Sequence, residues 1–523
     1  MPNDDKPGWF QCDDSGRFVR SSIWLSLSGG GLRAAIFQYG CLKRLHELGL
    51  LAHVYAISAT SGGAIIAALL SRHKNSERLE AERGVFLNEC DWDEFEKEFL
   101  ELARRGVFAP VAKLTSAYLC YVFGGVFFLL GLWPRLRPSV ILAGVAILAI
   151  GGLLHFALAL LLLNEKAHAP SETAQDWAYL DTRYSIAPWA RKSWKRLLRM
   201  LLFPSELRWQ LLNLRAFKGE LLMCLNNNPR VYLTAVDLNT GNETVFTTGL
   251  FSDLSDTGCR YLWEQRAEEP RYESREIDIA QAVSASSAIP PFFRPMAVGN
   301  SKVLAGVFVD GGVLDNFALN VPKAFSVRIH RRRGQRYDEG RDAIPNFRQI
   351  ISFLLAVDGG KAPEPKRQRK WSRLFATFRL MSVLVDQQFE AAFLATRDLD
   401  WNAGFGTAVV GIQVGFPEKS PLRDDEIERY IRRVRTHLDA FSAIECGVLA
   451  YCGYTWINEL VLQKHHLVDR YEGVKYIPAK AMADLMPPSI GNWHSSLAEI
   501  RNHLRYSNRR FGLFRFIGRK FGV

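Results

Sequence analysis

The chain has 523 residues, with 66 Lys and Arg against 54 Asp and Glu, so it carries a net charge of +12. Hydrophobic residues at 48% and charged residues at 23% are globular usage, which excludes a wholly disordered chain; the length suggests several structural units. Eight scattered cysteines (Cys12, Cys41, Cys90, Cys120, Cys224, Cys259, Cys446 and Cys452) with no C-x-x-C pair exclude a disulfide-stapled mini-protein and a zinc framework, and predict a reducing compartment.

The opening residues, Met1 to Pro7, are acidic with no apolar core and do not read as a secretory signal. Ile23 to Ser28 alternates apolar and polar side chains, a strand signal broken by Gly29-Gly30-Gly31. A helical pattern then runs through Leu42, Leu45 and Leu48 and stops at Gly49. Val54 to Ser58 reads as a second strand, and Thr60-Ser61-Gly62-Gly63 turns into an apolar helix through Leu70. Strand, turn and helix twice over is the start of a parallel α/β sheet.

Two long uncharged runs follow, Leu114 to Trp133 and Ser139 to Leu163, joined by Pro134-Arg135-Leu136-Arg137-Pro138. At about 1.5 Å per residue each covers a hydrocarbon core of about 30 Å, so the expectation is an antiparallel transmembrane hairpin. His155 is the one ionisable side chain in the second run. It either marks a partner site or is a neutral histidine bonded to a neighbouring helix. Lys97, Arg104, Arg105, Lys113, Lys166 and Arg183 flank the hairpin, against Arg135 and Arg137 in its link. The expected location is therefore an integral membrane protein whose bulk faces the cytosol. Trp189 to Phe203 sets Arg191, Lys192, Lys195, Arg196 and Arg199 beside an apolar face of Trp194, Leu197, Leu198 and Leu201, the pattern of a helix lying at an interface.

Strand patterns resume at Val231 to Val236, with a turn over Asp237 to Gly241 and a return strand over Glu243 to Thr247. Further strands are expected at Val303 to Val309, Ile351 to Val357 and Ala408 to Val414, with helices dominating from Asp424 to about His466. Lys361 to Arg373 reads as a loop. Arg501 to Val523 is a basic, aromatic tail that suits solvent and a membrane surface equally.

Three constellations carry chemistry. Gly29-Gly30-Gly31-Leu32-Arg33 lies between a strand and a helix, where backbone N–H groups face negative charge. It lacks the Gly-Lys-Ser/Thr end of a Walker loop and the spacing of a dinucleotide fold, so cradling a transient oxyanion remains open beside a plain tight turn. Ala59-Thr60-Ser61-Gly62-Gly63 matches the strand-to-helix elbow that exposes a nucleophilic serine, with Ala59 for the first glycine; Ser-Gly-Gly turns are also common without chemistry. Val309-Asp310-Gly311-Gly312, followed by Leu314-Asp315-Asn316, sets an aspartate at a strand end, facing a cleft or capping the next segment. Asp358-Gly359-Gly360 has the same form but no downstream Asp-Asn, so Asp310 is preferred.

Together these motifs resemble the patatin-like acyl hydrolases, the family that includes the cytosolic phospholipase A2 catalytic domain. Ala235 to Gly241 and Ser284 to Phe292 are similar to further segments of that family. The resemblance implies an α/β three-layer sandwich with a central, mainly parallel sheet. It divides the chain into a tail at 1–20, a first catalytic part at 21–105, a membrane insertion at 106–220, a second catalytic part at 221–465 and a basic region at 466–523. It also implies a Ser61–Asp310 dyad with no histidine, and an oxyanion hole at Gly29, Gly30 and Gly31. Arg33, Gly62, Gly63, Gly311 and Gly312 would be in support, with no metal and no cofactor. A carboxylate of ordinary pKa, about 3.9, is a poor base for a hydroxyl, so such a pair needs hydrogen-bond reach in a dry pocket. The expected substrate is a phospholipid or other acyl lipid, the expected surroundings a bilayer, and no nucleic acid is expected, since the basic residues cluster beside apolar segments. One alternative is a patatin-type effector in signalling or defence, silent until a ligand activates it, and another is a non-catalytic scaffold. A third, an α/β-hydrolase using His330 or His437, is disfavoured because Ser61 follows only two strands.

Overall fold

The computed structural model describes residues 22–72, 89–106, 124, 140–151, 216–217, 219–222, 225, 229–247, 258–261, 272–273, 277–290, 293, 295–299, 304–324, 351, 353–360, 406–434, 441–460, 471, 474, 476–481, 485 and 497–505. The chain begins β1 (Ile23–Leu27), α1 (Gly31–Glu47), β2 (Val54–Thr60), α2 (Gly62–Arg72) and α3 (Glu89–Arg105). It continues with β3 (Arg230–Asp237), β4 (Glu243–Thr247), β5 (Gly258–Tyr261), β6 (Tyr272–Glu273), α4 (Ile279–Ser286), β7 (Met296–Gly299) and β8 (Leu304–Asp310). β9 (Phe353–Asp358), β10 (Gly406–Gly411), α5 (Asp425–Arg433), α6 (Ala443–Glu459) and α7 (Leu497–Arg505) complete it.

The ten described strands join one sheet, ordered β10-β9-β1-β2-β3-β4-β5-β6, with β8 paired to β3 and β7. The neighbours from β10 to β3 are parallel, and every other pairing is antiparallel. The sheet is therefore mixed rather than mainly parallel. For β3 and β4 the cause is local: the Gly241 N–H closes a turn onto the Asp237 carbonyl at 2.7 Å, and so short a connection can only return the chain antiparallel.

Alternation along β1 assigns its two faces. Ile23, Leu25 and Leu27 join the larger core beneath α1, α2 and α6. Trp24 points the other way, stacks on Tyr232 at 5.7 Å and is covered by Phe317, Leu319 and Val321. The helix α1 stops where Gly49 takes φ 76, as the sequence suggests. α6 opens on a capping box, Ser442 with Glu445. The strand expected at Ala408 to Val414 begins two residues earlier and ends three earlier, where Ile412–Val414 curls into a 3-10 turn.

The membrane hairpin and the integral-membrane, cytosol-facing location are corrected. Among the described residues no helix is long and apolar enough to cross a membrane. Residues 140–151 are helical. Gly124, the one described residue of the first run, lies against this helix; a Cβ there would come within 3.0 Å of the Gly144 carbonyl oxygen. The remainder of both runs, His155, the tail at 1–20, the stretch 189–203, the loop 361–373, His330, His437 and the tail beyond 505 lie outside the described residues.

Candidate active site

β2 ends at Thr60 and α2 begins at Gly62, which leaves Ser61 alone in the bend with φ 52. A side-chain-bearing residue in that region costs about 1–3 kcal/mol and persists only where its surroundings hold it. Here the Ser61 N–H donates to Ser286 Oγ at 2.9 Å, and the Ala64 N–H donates to the Ser61 carbonyl at 3.1 Å. Gly62 is pressed onto the Gly-rich loop so closely that a Cβ would overlap the Gly31 carbonyl oxygen. Gly63 packs the first turn of α2 against the Leu27 carbonyl.

The Gly-rich loop itself joins β1 to α1. The Gly29 N–H donates to the Asn316 carbonyl at 2.9 Å and is thereby committed. Gly30 takes φ 138, open to glycine alone, and lies against the Gly359 carbonyl. The Gly30 and Gly31 N–H groups stand at the N-terminus of α1 with no acceptor among the described residues. That is the positive end of a helix, ready for an anion.

Asp310 ends β8, is 3% exposed, and accepts the Gly312 N–H at 2.8 Å. Its position relative to Ser61 follows from the register on β3. On one flank of β3, Thr60 of β2 pairs with Thr234, and on that same flank Asp310 of β8 pairs with Ala235, the next residue. β2 and β8 thus meet head to head along β3, one register step of about 3.3 Å apart. Ser61 leaves the sheet where Asp310 ends its strand. Gly311 allows this junction to close, since a Cβ there would stand 2.5 Å from Thr234 Oγ1. Gly312 lies beside the carboxylate.

The loop after Asp310 is tied to both first strands. Thr60 Oγ1 donates to the Asp315 carbonyl at 3.1 Å, and Ser26 Oγ donates to the Phe317 carbonyl. Asn316 Oδ1 lies over Gly29 and Gly312, so this one side chain touches both loops. Below it, Asp315 and Glu243 are two buried carboxylates sharing Asn320.

Arg33 is fully buried and does not face the bend. Its guanidinium donates to the carbonyls of Gly359 at 2.8 Å, Val434 at 3.1 Å and Arg432 at 3.3 Å, capping the C-terminal end of α5. Burial lowers its pKa to about 10, and Asp358 opposes that shift, so Arg33 stays protonated at neutral pH. Asp358, set aside in sequence, lies behind the Gly-rich loop. Burial raises its pKa, while the Gly360 N–H, Ser28 and Arg33 pull it down.

Sequence reasoning assigned no role to Ser28, Ser286 or Asn316. Ser286 and Asn316 do lie in segments singled out beside the motifs. The second Asp-Gly-Gly was itself the signal for Asp358. Among the described residues no group of three or more His, Cys, Asp or Glu is arranged to hold a metal ion.

Comparison with known proteins adds a family. The family model for patatin-like phospholipases matches residues 25–322. No curated protein matches the chain. Among solved structures, that of VipD from Legionella pneumophila aligns at 13% identity over 86% of this chain and 69% of that one, with a TM-score of 0.28.

Proposed function

The chain belongs to the patatin-like phospholipase family, and from that membership we propose a serine lipid acyl hydrolase of the phospholipase A or lysophospholipase type, working through a Ser61–Asp310 dyad. Family membership implies lipid acyl hydrolysis; the dyad and the ester class are the further step. The observation that carries this reading is the register on β3, which brings the ends of β2 and β8 to adjacent positions beside the N-terminus of α1.

In this mechanism Asp310 takes the Ser61 hydroxyl proton as Oγ bonds to the ester carbonyl carbon. The carbonyl oxygen becomes an oxyanion and is held by the N–H groups of Gly30 and Gly31. These donors are fixed before the reaction, so they stabilise the developing charge without reorganising. Collapse of the tetrahedral intermediate breaks the ester C–O bond, and Asp310 returns the proton to the departing alcohol. Water, giving a proton to Asp310, then attacks the acyl-enzyme. The fatty acid departs and Ser61 takes its proton back.

Replacing Ser61 by Ala, or Asp310 by Asn, is expected to lower fatty-acid release from phosphatidylcholine vesicles by about 10⁴-fold or more, with the melting temperature preserved. A fluorophosphonate probe should label wild type and not Ser61→Ala. Turnover retained in both variants removes the mechanism.

A further inference from the structure

Gly30 owes the direction of its N–H to the residue before it. The Gly29 carbonyl and the Gly30 N–H belong to one trans peptide plane and point opposite ways. Whatever holds the Gly29 carbonyl therefore aims the Gly30 N–H. Gly30 itself cannot supply that control, because a glycine at φ 138 turns freely.

Ser28 supplies it. Its Oγ lies 3.1 Å from the Gly29 carbonyl oxygen and 3.1 Å from Asp358 Oδ1, and it accepts the Gly359 N–H at 2.8 Å. Asp358 Oδ1 is pinned in turn by the Gly360 N–H at 2.7 Å, and Arg33 Nη2 holds the Gly359 carbonyl at 2.8 Å. Both Ser28 and Asp358 are buried, so water does not compete for these contacts. Strand pairing brings them together, because Leu27 of β1 stands opposite Val357 of β9, and Ser28 and Asp358 are the next residue of each chain. On the other side the Gly29 N–H is already fixed on the Asn316 carbonyl.

We propose that Ser28 and Asp358 are positioning residues which orient the Gly29–Gly30 peptide and so aim the Gly30 N–H at the oxyanion of the tetrahedral intermediate. This rests on Ser61 being the nucleophile. Neither residue touches substrate. The single Ser28 hydroxyl proton is shared between Asp358 Oδ1 and the Gly29 carbonyl, the Gly359 N–H fixes the Ser28 oxygen, and the peptide plane transmits that setting to the donor. The second Asp-Gly-Gly is thus a support for the loop, not a duplicate of the first.

The test uses the full chain and a p-nitrophenyl fatty-acyl ester, with a fatty-acyl trifluoromethyl ketone as tetrahedral analogue. Ser28→Ala and Asp358→Asn should each lower kcat about 10- to 100-fold, below the ~10²–10³-fold of losing an oxyanion donor outright. KM should stay within about twofold, and analogue affinity should fall by the same factor as kcat, because both report the oxyanion contact. Ser28→Thr, which keeps the hydroxyl, should restore both. A purely structural role would lower the melting temperature and leave kcat and analogue affinity per folded molecule unchanged. Unchanged kcat in Ser28→Ala, or unchanged analogue affinity, overturns the proposal. Asp358→Asn removes the carboxylate that faces the buried Arg33; should it fail to fold, Ser28→Ala decides alone. Ser61→Ala separates the two readings. An inactive Ser61→Ala beside a fully active Ser28→Ala leaves the nucleophile standing and removes this inference, whereas an active Ser61→Ala removes both.

Discussion

Ser61 shows how a local backbone cost is offset by its neighbours. At φ 52 it is held by Ser286, by the first turn of α2 and by the close seat of Gly62 on the Gly31 carbonyl. Gly62→Ala is therefore expected to push the bend off the Gly-rich loop. A methyl group has no space there, and overpacking of this kind costs about 1–3 kcal/mol. Displacing the nucleophile by even about 1 Å lowers turnover about 10²-fold. Thermal denaturation together with esterase kinetics checks this, and a variant with wild-type kcat would show that the bend tolerates the shift. The elbow and the glycine loop were legible in sequence because small residues at fixed spacing leave a pattern. The partners that hold them were not: Ser286 and Asn316 act across 225 residues and across the loop gap, and no spacing rule links Ser61 to Ser286. Arg33 was legible as a motif residue, yet its burial against Gly359, Arg432 and Val434 depends on chain contributed some four hundred positions later. Asp358 was visible and was set aside, since sequence compares motifs one at a time and cannot see that β9 lies beside β1.

Among the elements, α1 carries the Gly-rich N-terminus and is held in place by α6. The two helices touch backbone to backbone: a Cβ on Gly40 would overlap the Ala450 carbonyl, and one on Gly453 would overlap the Phe37 carbonyl. Arg44, fully buried, adds hydrogen bonds to Asn458 Oδ1 at 2.7 Å and Tyr454 Oη at 3.3 Å. Gly40→Ala should force the helices apart and destabilise the protein by about 1–3 kcal/mol. Helix propensity alone runs the other way, favouring Ala by about 1 kcal/mol. The sign of the measured change in denaturant midpoint decides between the two, and a rise would mean that the crossing is looser than described. The strands of the β3–β4 turn were readable because alternation and Asp-Gly turn chemistry are local. The end of β10 was missed because Ile412–Val414 continues the apolar run while its backbone curls. The apolar runs at 114–163 illustrate the reverse case. Length and hydropathy argue for a spanning pair, yet among the described residues no helix is long and apolar enough to span, and the helix at 140–151 leaves Leu142, Val145 and Ile150 exposed.

Across the whole molecule, the sheet joins stretches of chain that sequence keeps far apart. Arg72 at the end of α2 binds Glu98 of α3 at 3.2 Å and Glu220 at 2.9 Å, so the chain beyond α3 departs from and returns to one place before β3 enters the sheet. β3 then serves as the spine on which β2, β4 and β8 converge, and the loop from Asp310 to Asn320 closes over it. That loop is locked underneath by Glu243 of β4 and Asp315. Asn320 gives its side-chain N–H to Glu243 at 2.8 Å and its backbone N–H to Asp315. Burial, and then the Asp315 carboxylate, push the Glu243 pKa well up, against Asn320 and Lys323; burial likewise raises Asp315, against backbone N–H groups and Lys323. A carboxyl whose pKa is raised on folding binds its proton more tightly in the native state. Its stabilising effect is full below the ordinary carboxylate range and is lost as pH rises through the native value. The slope is at most about 1.4 kcal/mol per pH unit for each proton involved. Glu243→Gln keeps the acceptor for Asn320 and removes the titration. Its melting temperature, relative to wild type, should therefore climb as the pH is raised from about 5 to about 9. Parallel curves for the two proteins would show that the pair is not what ties this loop to pH. A relative rise across that range would tie the loop beside the strand junction to the protonation of the two carboxyls that share Asn320.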